Sequence, residues 1–407
     1  MTNMRSHILA VDLGTSNIKA LVGKKDSGNW SIILPAHRKS RGIKKGEIVD
    51  MAGVSEELDN LIVEIEGMLK NINFKDSIVG IGGPNIKTRL SKGVAVVSRP
   101  DQEITEEDKE RADKAAQAFA LPSNRTLVQT VSRSYIVDGV AKVKDPIGMK
   151  GLKIETECLL IDAFSPNISY INRLGEIIGI KLDPKIIISF AGAEIVLSDQ
   201  DKDLGAIALD LGAGTTSACV YENDEILDLQ VFPMGGDSIT NDIAVGLKTY
   251  VDVAEKIKIN EGVATKKRIG KNENIDLNIY LEEPESGDGE KVSRKFLAEI
   301  IEARLSEIFD LVIKRLKEID RFGKLPGGVV LYGGGANMPF IVELAKEKFK
   351  LPVRLANPDI EWYRGNPDLS FVPVLGLLSL AFQEENDSPL MENKIVKKIR
   401  DFFNGHL

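Results

Sequence analysis

The amino-acid sequence predicts an α/β protein built from two related lobes, and three observations support this prediction. An apolar run, an aspartate and a short turn rich in glycine and hydroxyl residues occur at 206–221 and again at 8–22. Their aspartates, Asp12 and Asp210, lie 198 residues apart (210 − 12), which is typical of a duplicated lobe rather than of a short-period repeat. The chain of 407 residues is also long enough for about two or three domains.

Composition and charge limit the class of function. Hydrophobic residues make up 43% of the chain and charged residues 28%, as in soluble globular proteins. The net charge of −8 argues against nucleic acid as a partner. Two cysteines and three scattered histidines are too few for a disulfide framework or a metal cluster. With neither a signal peptide nor an uncharged apolar stretch of about 18 residues, the sequence predicts a reducing, cytoplasmic compartment.

Each repeated segment is predicted to form a strand, a tight glycine loop and a second strand. In the second copy, two glycines allow the backbone to approach a ligand closely, and three hydroxyl side chains add hydrogen-bond donors. These residues are Gly212, Gly214, Thr215, Thr216 and Ser217. An ordinary β-hairpin is the alternative for either copy taken alone. Two such loops facing each other across a cleft would hold one nucleotide by its phosphates.

The rest of the first lobe is predicted from apolar periodicity and breaker residues. Its elements are a strand at 30–37, a turn at 44–50, a helix at 55–69 and a strand at 77–81. The helix is amphipathic, because its apolar residues recur at helical spacing. Two glycines and a proline at 82–84 then interrupt the pattern and indicate a domain boundary.

Residues 85–165 are predicted to form an inserted α+β unit. Its elements are two short strands within 86–97, a helix from 105 to about 120, and strands at 126–137 and 153–163. A capping-box pattern from Thr105 to Asp108 indicates where the helix begins. The acidic run from Glu103 to Glu110 is interpreted as the solvated face of this helix, with partner binding as the alternative.

Beyond the insert, helix and strand patterns alternate as far as a late glycine turn. The predicted elements are a helix at 165–179, a strand and a helix within 186–197, two helices between 237 and 262, a strand at 275–281, a helix at 293–320, a strand near 327–333 and a helix through Lys346. The late strand ends in three consecutive glycines at 333–335. Their missing side chains leave room for a nucleotide base or sugar.

Two Asp-Leu-Gly hairpins, a linking helix and a late strand ending in three glycines together resemble the actin-like ATPase superfamily. Within it, the sequence is similar to the FtsA family of bacterial cell-division proteins, over 6–383 and the C-terminal tail. The segments that carry this resemblance are 132–139, 145–149, 235–244, 254–258 and 300–304. The inserted unit also resembles the small domain that distinguishes this family.

The resemblance implies a two-lobed actin-like fold with an inserted small α+β domain and a C-terminal amphipathic helix. The two lobes would enclose a nucleotide between them. The implied domains are a first lobe at 1–84 and 166–204, the insert at 85–165, a second-lobe core at 205–236 and 321–383, a second-lobe subdomain at 237–320, a linker at 384–393 and a membrane-targeting helix at 394–407.

The resemblance further implies that the cleft binds ATP with Mg²⁺. The implied phosphate loops consist of Gly14, Thr15, Ser16, Asn17 and Lys19 in the first lobe and Gly212, Ala213, Gly214, Thr215 and Thr216 in the second. Asp12 and Asp210 would hold the cation largely through water. The implied ribose and base contacts are Glu255, Lys258, Gly334, Gly335 and Met338. Without the motif, a solvated position on a helix face is the alternative for Lys258.

Departures from the family pattern concern hydrolysis. The family's second loop usually contains Gly-Gly-Gly-Thr-Thr-Asp, whereas Ala213 and Ser217 stand at two of these positions here. Ser238 also stands where the family has a histidine. Because phosphoryl transfer to water needs a group that orients the water, Glu194 is the predicted candidate, with a structural carboxylate at a helix end as the alternative. The sequence therefore predicts nucleotide binding and at most slow ATP hydrolysis.

The C-terminal stretch 394–407 is predicted to form an amphipathic helix. Four basic residues and one aspartate give it a local charge of 4 − 1 = +3, in a chain whose net charge is −8. At an anionic bilayer the apolar and the basic side chains would both contribute to binding, whereas docking on its own domain is the alternative. The predicted membrane contacts are Lys394, Ile395, Lys398, Ile399, Phe402 and Phe403.

By resemblance, the protein would form actin-like filaments at the cytoplasmic face of the cell membrane, at the division site. It would bind the C-terminal peptide of FtsZ, tether the FtsZ ring to the membrane and recruit later division proteins. Two alternatives stay open at this point. One is a PilM-like scaffold for pilus assembly, and the other is a small-molecule kinase with the same fold.

Overall fold

The computed structural model describes residues 7–26, 29–70, 72–118, 120–270, 272–281, 291–358 and 368–386. The amphipathic helix predicted at 394–407 and most of the predicted linker lie outside these described residues. The described elements form a first lobe, an insert and a second lobe, each organised around its own sheet.

The first lobe contains β1 (His7–Leu13), β2 (Asn17–Asp26), β3 (Asn29–Lys39), the short hairpin strands β4 (Ile43–Lys44) and β5 (Glu47–Ile48), β6 (Asp76–Ile81) and the later strand β11 (Lys181–Ile187). Five of these form one sheet in the order β11-β6-β1-β2-β3. Strand β1 pairs antiparallel with β2 and parallel with β6. The first predicted strand–loop–strand is therefore the centre of this sheet.

Helix α1 (Met51–Leu69) packs against the first-lobe sheet. The carboxylate of Asp50 accepts a hydrogen bond from the backbone N–H of Ala52 at 3.1 Å, which caps the helix. The helix consequently begins before the predicted start at 55. Its predicted apolar face is buried, with Leu58, Leu61 and Ile65 in the core.

The insert has a four-stranded antiparallel sheet of its own. Its strands are β7 (Lys87–Val96), β8 (Arg125–Val137), β9 (Ala141–Val143) and β10 (Lys153–Phe164), in the order β7-β10-β8-β9. Helix α2 (Glu106–Gln117) packs on β7 and β10, and the backbone N–H of Thr105 donates to the Asp108 carboxylate at 2.9 Å, as the capping box predicts. The prediction of two short strands in 86–97 is wrong, since the single strand β7 spans most of this segment. Gly93 lies within this strand and does not form a turn. Its missing side chain leaves room for the α2 backbone at Ala112.

Three helices and a strand connect the insert to the second lobe. They are α3 (Ser165–Ile178), β11, α4 (Ile188–Val196) and α5 (Asp199–Leu204). The predicted helix at 165–179 is confirmed, and its end at Gly179 has the left-handed conformation that a glycine favours, with φ of 75°. Helix α5 was not predicted separately, although Ser198 caps it by accepting a hydrogen bond from the N–H of Asp201.

The second lobe repeats the sheet topology of the first. Its strands are β12 (Ala206–Leu211), β13 (Thr216–Glu222), β14 (Glu225–Phe232), β17 (Gly328–Tyr332) and β18 (Val353–Leu355), in the order β14-β13-β12-β17-β18. Strands β12, β13 and β14 pair antiparallel, whereas β17 pairs parallel with both β12 and β18. Because the first sheet has the same arrangement around β1, the predicted duplication is confirmed.

Helices cover the second sheet and form its subdomain. The remaining elements are α6 (Gly236–Gly246), α7 (Val251–Glu261), β15 (Asn274–Asp276), β16 (Lys291–Ser293), α8 (Arg294–Glu318) and α9 (Ile341–Phe349). The predicted long helix at 293–320 corresponds closely to α8. The predicted strand at 275–281 is only partly present, since a 3₁₀ turn at Leu277–Tyr280 follows the short strand β15.

Helix α10 (Val372–Asn386) returns the chain to the first lobe. Its apolar side chains pack into a core with Ile8, Leu21 and Trp30 of the first sheet. The assignment of all of 321–383 to the second lobe is therefore wrong for this helix. Helix α10 was assigned to the second lobe because it follows α9 in the sequence. In the structure it packs against β1, β2 and α4.

Candidate functional site

A cavity of about 490 Å³ lies between the two lobes. This size is typical of sites for small molecules and cofactors. Its walls include all the phosphate, cation, ribose and base residues predicted from the sequence: Asp12, Gly14, Thr15, Ser16, Asn17, Lys19, Asp210, Gly212, Ala213, Gly214, Thr215, Thr216, Glu255, Lys258, Gly334, Gly335 and Met338. The structure thus brings three separate glycine turns to one place.

The first loop is the turn between β1 and β2. A Cβ atom at Gly14 would lie 2.6 Å from the backbone oxygen of Asn17, so the tightness of this turn requires glycine. Asp12 is opposite Lys19 in the β1–β2 ladder, and their charged atoms are 3.9 Å apart. The hydroxyl of Thr15 accepts a hydrogen bond from the N–H of Gly46 at 2.9 Å, which ties the loop to the β4–β5 hairpin.

The second loop is the equivalent turn between β12 and β13. The N–H of Gly212 donates to the carbonyl of Thr215 at 2.9 Å, and the carbonyl of Gly212 accepts from the N–H of Gly236 at the same distance. A Cβ atom at Gly214 would lie 2.5 Å from the hydroxyl oxygen of Thr15. The two loops therefore meet directly, and a side chain at 214 would force the lobes apart.

The third turn follows β17 and contains the three consecutive glycines. Gly333 has φ of 84°, and a Cβ atom there would collide with the Asp210 carboxylate and with the backbone of Leu211. A 3₁₀ turn at Gly334–Asn337 then leads to Met338 at the cavity wall. The backbone of this turn consequently approaches the second phosphate loop closely.

Glu255 and Lys258 lie one helical turn apart on α7 and reach the cavity together. The Lys258 ammonium group donates to Glu255 Oε2 at 2.6 Å and to the Thr240 hydroxyl at 2.8 Å. It also donates to the carbonyl of Gly236 at 3.3 Å, beside the second loop. This network fixes the lysine beside the phosphate loops, so the alternative of a freely solvated helix position does not apply.

Burial of the two aspartates determines the electrostatics of the cleft. Burial raises the pKa of Asp12, an effect that Lys19 partly opposes. Burial and the neighbouring Asp12 raise the pKa of Asp210 to about 7. Two largely buried carboxylates that repel each other favour a bound cation, and oxygen ligands suit a hard divalent ion such as Mg²⁺. The donor set therefore fits the cation that the resemblance implies.

Glu194 is not among the residues that line the cavity. Its carboxylate accepts hydrogen bonds from Lys202 Nζ at 2.9 Å and from the Tyr221 hydroxyl at 2.5 Å. Glu194 of α4 is thereby connected to α5 and to β13, where the chain passes from the first lobe to the second. This position corrects the assignment of Glu194 as the group that orients water and matches the alternative of a structural carboxylate.

Several cavity residues were not identified from the sequence. Glu47 and Asn167 lie on the first-lobe side, Asn337 ends the 3₁₀ turn after β17, and Asp368 and Ser370 precede α10. Asp368 accepts hydrogen bonds from the backbone N–H of Ser370 at 2.9 Å and from the Asn337 side chain at 3.4 Å. The predicted turn at 44–50 contains Glu47, and Asn337 ends the turn that begins with the three glycines, so both positions had a local signal in the sequence.

The described helices include none that is both long and apolar enough to cross a membrane. The six residues predicted to contact a membrane, which begin at Lys394 and end at Phe403, lie outside the described residues. The membrane-targeting helix therefore stays a prediction.

Two family models match the sequence. One, described as cell division protein FtsA, matches residues 207–375. The other, described as the SHS2 domain inserted in FtsA, matches residues 83–162 and so coincides closely with the insert. The cell division protein FtsA of Pseudomonas aeruginosa is 32% identical over 94% of this chain and 91% of its own length. The FtsA of Neisseria meningitidis is 33% identical over 98% of this chain and 95% of its own length.

Solved structures with similar folds have much lower sequence identity. A PilM-PilN type IV pilus biogenesis complex superimposes with a TM-score of 0.65 at 16% identity, covering 95% of this chain and 100% of the other. MreB5 of Spiroplasma citri bound to ADP gives a TM-score of 0.54 at 14% identity, with the same coverages. At these identities the likeness concerns the fold alone. It confirms the predicted actin-like, two-lobed architecture.

Proposed function

Because this chain belongs to the FtsA family of cell division proteins, we propose that it is an ATP-binding, filament-forming scaffold of bacterial division. In this role it binds the C-terminal peptide of FtsZ, tethers the FtsZ ring to the cytoplasmic face of the membrane and recruits later division proteins. The single observation that supports this function best is the interlobe cavity, in which both glycine hairpins and both aspartates meet.

Different cavity residues contact different parts of ATP in this proposal. Free backbone N–H groups of the loops at 14–17 and 212–216, other than that of Gly212, which donates to Thr215, bind the phosphates, since freed N–H groups in tight turns attract anions. Asp12 and Asp210 hold Mg²⁺, which supplies charge neutralisation at the phosphates when bound. Glu255 and Lys258 contact the ribose or base, and the turn at 333–338 forms the wall against which the base lies.

Binding of ATP by both hairpins would favour the closed arrangement of the lobes. Because Gly214 already contacts Thr15 across the cleft, a nucleotide clamped by both loops adds to an existing interlobe contact. Ala213 and Ser217 replace a glycine and an aspartate of the usual family loop, so hydrolysis is expected to be slow. The nucleotide then acts mainly as a switch for polymer contacts.

Membrane attachment depends on the tail. A single helix of about fourteen residues is marginal in water, and each basic residue near anionic lipid contributes about 1 kcal/mol. One tail therefore binds reversibly. A filament that presents many tails binds tightly, because the later tails bind at a high effective concentration.

Electron microscopy on an anionic lipid monolayer tests the proposal. Full-length protein with ATP and Mg²⁺ is expected to form filaments on the lipid, and deletion of 394–407 is expected to remove them from the surface while nucleotide binding persists. Replacement of Phe402 and Phe403 by glutamate should have the same effect. The matched variant Phe296→Glu, on the exposed side of α8, should still form filaments. Filaments that form equally well without ATP would contradict the switch.

A further inference from the structure

Glu47 is a carboxylate that lines the interlobe cavity and takes no part in the contacts proposed for ATP and Mg²⁺. It follows the turn of the β4–β5 hairpin, which the N–H of Gly46 anchors to Thr15 of the first loop. We infer that Glu47, and not Glu194, is the group that orients the attacking water and takes its proton during the slow hydrolysis of ATP. This inference rests on the proposed nucleotide binding.

The β4–β5 hairpin lies where the two phosphate loops meet. A Cβ atom at Gly214 would be 2.5 Å from the Thr15 hydroxyl oxygen and 2.8 Å from the Cα of Lys45. The hairpin backbone thus touches the tip of the second loop as well as the first. Glu47, two residues beyond Lys45, lines the same cavity. A phosphate held by both loops would therefore lie in the cavity that Glu47 also lines.

The surroundings of Glu47 fix one of its oxygens and leave the other available. Oε1 accepts a hydrogen bond from the Asn85 amide at 2.7 Å and another from the Asn167 amide at 2.9 Å. In the described part of the chain, Oε2 accepts no hydrogen bond and no cation lies within ion-pair distance of the carboxylate. A Cβ atom at Gly83 would lie 2.8 Å from Glu47 Cγ, so the backbone there also limits its motion.

The other carboxylates that line the cavity are already engaged. Asp12 pairs with Lys19, and Asp210 is buried beside Asp12 in the proposed cation site. Glu255 binds Lys258, and Asp368 binds Ser370. Among these described carboxylates, Glu47 combines a fixed orientation and a free oxygen with the absence of an ion-pair partner, whereas Glu255 pairs with Lys258. A general base needs this arrangement.

The reaction balances without a further co-reactant. Glu47 Oε2 accepts a hydrogen bond from the water and then its proton, as the water oxygen forms a bond to the γ-phosphorus. The bond between this phosphorus and the β,γ-bridging oxygen breaks, and the electron pair stays on ADP. The products are ADP and inorganic phosphate, and the proton leaves Glu47 for solvent. The Asn85 and Asn167 amides hold the carboxylate in place and are positioning residues.

Two kinds of measurement on the full-length protein test this role. Glu47→Gln is expected to lower phosphate release at least about 100-fold, the usual contribution of a general base. Its affinity for a non-hydrolysable ATP analogue should stay within about threefold of the wild-type value. The control Glu64→Gln, an exposed carboxylate on α1, should change neither quantity. Asn167→Leu should reduce phosphate release and leave analogue binding intact.

A binding measurement gives an independent readout. ADP with aluminium fluoride imitates the phosphoryl group together with its attacking water, so wild-type protein should bind it more tightly than ADP alone. Glu47→Gln is expected to lose this additional affinity and to keep its affinity for ADP. Protein purified with ATP should also retain ATP in the variant and ADP in the wild type.

The outcomes separate this inference from the proposed function. If the wild-type protein binds no adenine nucleotide, the proposed function fails as well. If it binds ATP but Glu47→Gln releases phosphate at the wild-type rate, only the role of Glu47 fails. Wild-type protein that binds ATP and releases no phosphate at all would also overturn this role, because no hydrolysis would then exist for Glu47 to assist.

Discussion

Asp210 links the chemistry of the cleft to the stability of the protein. Its carboxyl has a pKa of about 7 in the folded protein, raised from 3.8 by burial and by Asp12. Between these values the folded state binds more protons than the unfolded state, so its contribution to the free energy of unfolding falls as the pH rises. A bound cation would remove this loss of stability at high pH, because its positive charge compensates the ionised Asp210 carboxylate.

Replacing Asp210 by asparagine therefore has two expected effects. Without ligand, Asp210→Asn should raise the thermal midpoint, and more at pH 8 than at pH 5, since only the wild type must keep a buried charge at pH 8. With Mg²⁺ and ATP, the variant should gain less stability than the wild type. Differential scanning calorimetry at both pH values measures this. The control Asp59→Asn, an exposed carboxylate on α1, should leave both midpoints unchanged.

Gly333 combines a left-handed backbone with a close approach to Asp210. Gly333→Ala should cost the strain of positive φ and also push the added methyl group into the carboxylate. We expect a loss of at least about 2 kcal/mol in the free energy of unfolding and weaker nucleotide binding. Gly323 offers a matched comparison, because its φ is 73° and nothing lies within 4 Å of its Cβ position.

The comparison of the two glycines separates strain from collision. Gly323→Ala should cost only about 1 kcal/mol and leave nucleotide affinity unchanged. Urea unfolding gives the stability, and fluorescence titration with an ATP analogue gives the affinity. Equal effects of both substitutions would mean that the approach to Asp210 contributes nothing.

The residues that meet in the cavity were predicted from the sequence wherever a local motif contains them. Asp12, Asp210 and the glycines of both loops are recognisable because tight turns next to apolar strands require those residue types. Glu47 was not predicted to line the cavity, because its position there follows from a contact between Gly46 and Thr15, 31 positions apart along the chain. Glu194 was misassigned because a helix beside the loop in sequence need not point into the cleft.

At the scale of elements, α10 shows what sequence order conceals. It follows the second lobe in the chain, yet its Phe382 ring stacks on Trp30 of β3 with centroids 4.3 Å apart. Gly376 lies directly against the backbone of Ala191 in α4, so the two helices approach closely. Apolar periodicity indicates that such a helix is buried, but it does not say against which sheet.

Phe382→Ala tests how much α10 contributes to the first lobe. Phe382 is 3% exposed, and its removal leaves a cavity against Trp30. The expected loss is about 3–5 kcal/mol in the free energy of unfolding. Phe296→Ala on α8 is the control, because Phe296 is 43% exposed and should cost only about 1 kcal/mol. Guanidinium unfolding monitored by tryptophan fluorescence measures both, and a cost for Phe382 as small as the control would contradict the packing role.

At the scale of the whole molecule, the insert contacts both lobes. It belongs to the first lobe by sequence, but three ion pairs join it to the β13–β14 turn of the second. These pairs, which we call the insert bridge, are Arg133–Glu225 at 3.4 Å, Lys142–Glu225 at 3.5 Å and Lys144–Asp224 at 3.4 Å. The repeated motif in the sequence predicted the duplicated lobes. The ion pairs of the insert bridge could not be predicted, because no sequence pattern indicates which charged residues about 80–90 positions apart will meet.

Arg133 and Glu225 are the most buried pair of the insert bridge, with side chains 11% and 10% exposed. A double-mutant cycle of Arg133→Met and Glu225→Gln should therefore give a coupling free energy of about 1–3 kcal/mol. The double variant should lose less stability than the two single variants together, because removing either partner alone leaves the other largely buried charge with only its more distant partner, Lys142 for Glu225 and Glu157 for Arg133. The cycle of Lys142→Met with Glu225→Gln is the matched control. Since Lys142 is 56% exposed, its coupling should be about 0–1 kcal/mol. Additive effects in the first cycle, measured by urea unfolding, would show that packing rather than charge holds the insert against the second lobe.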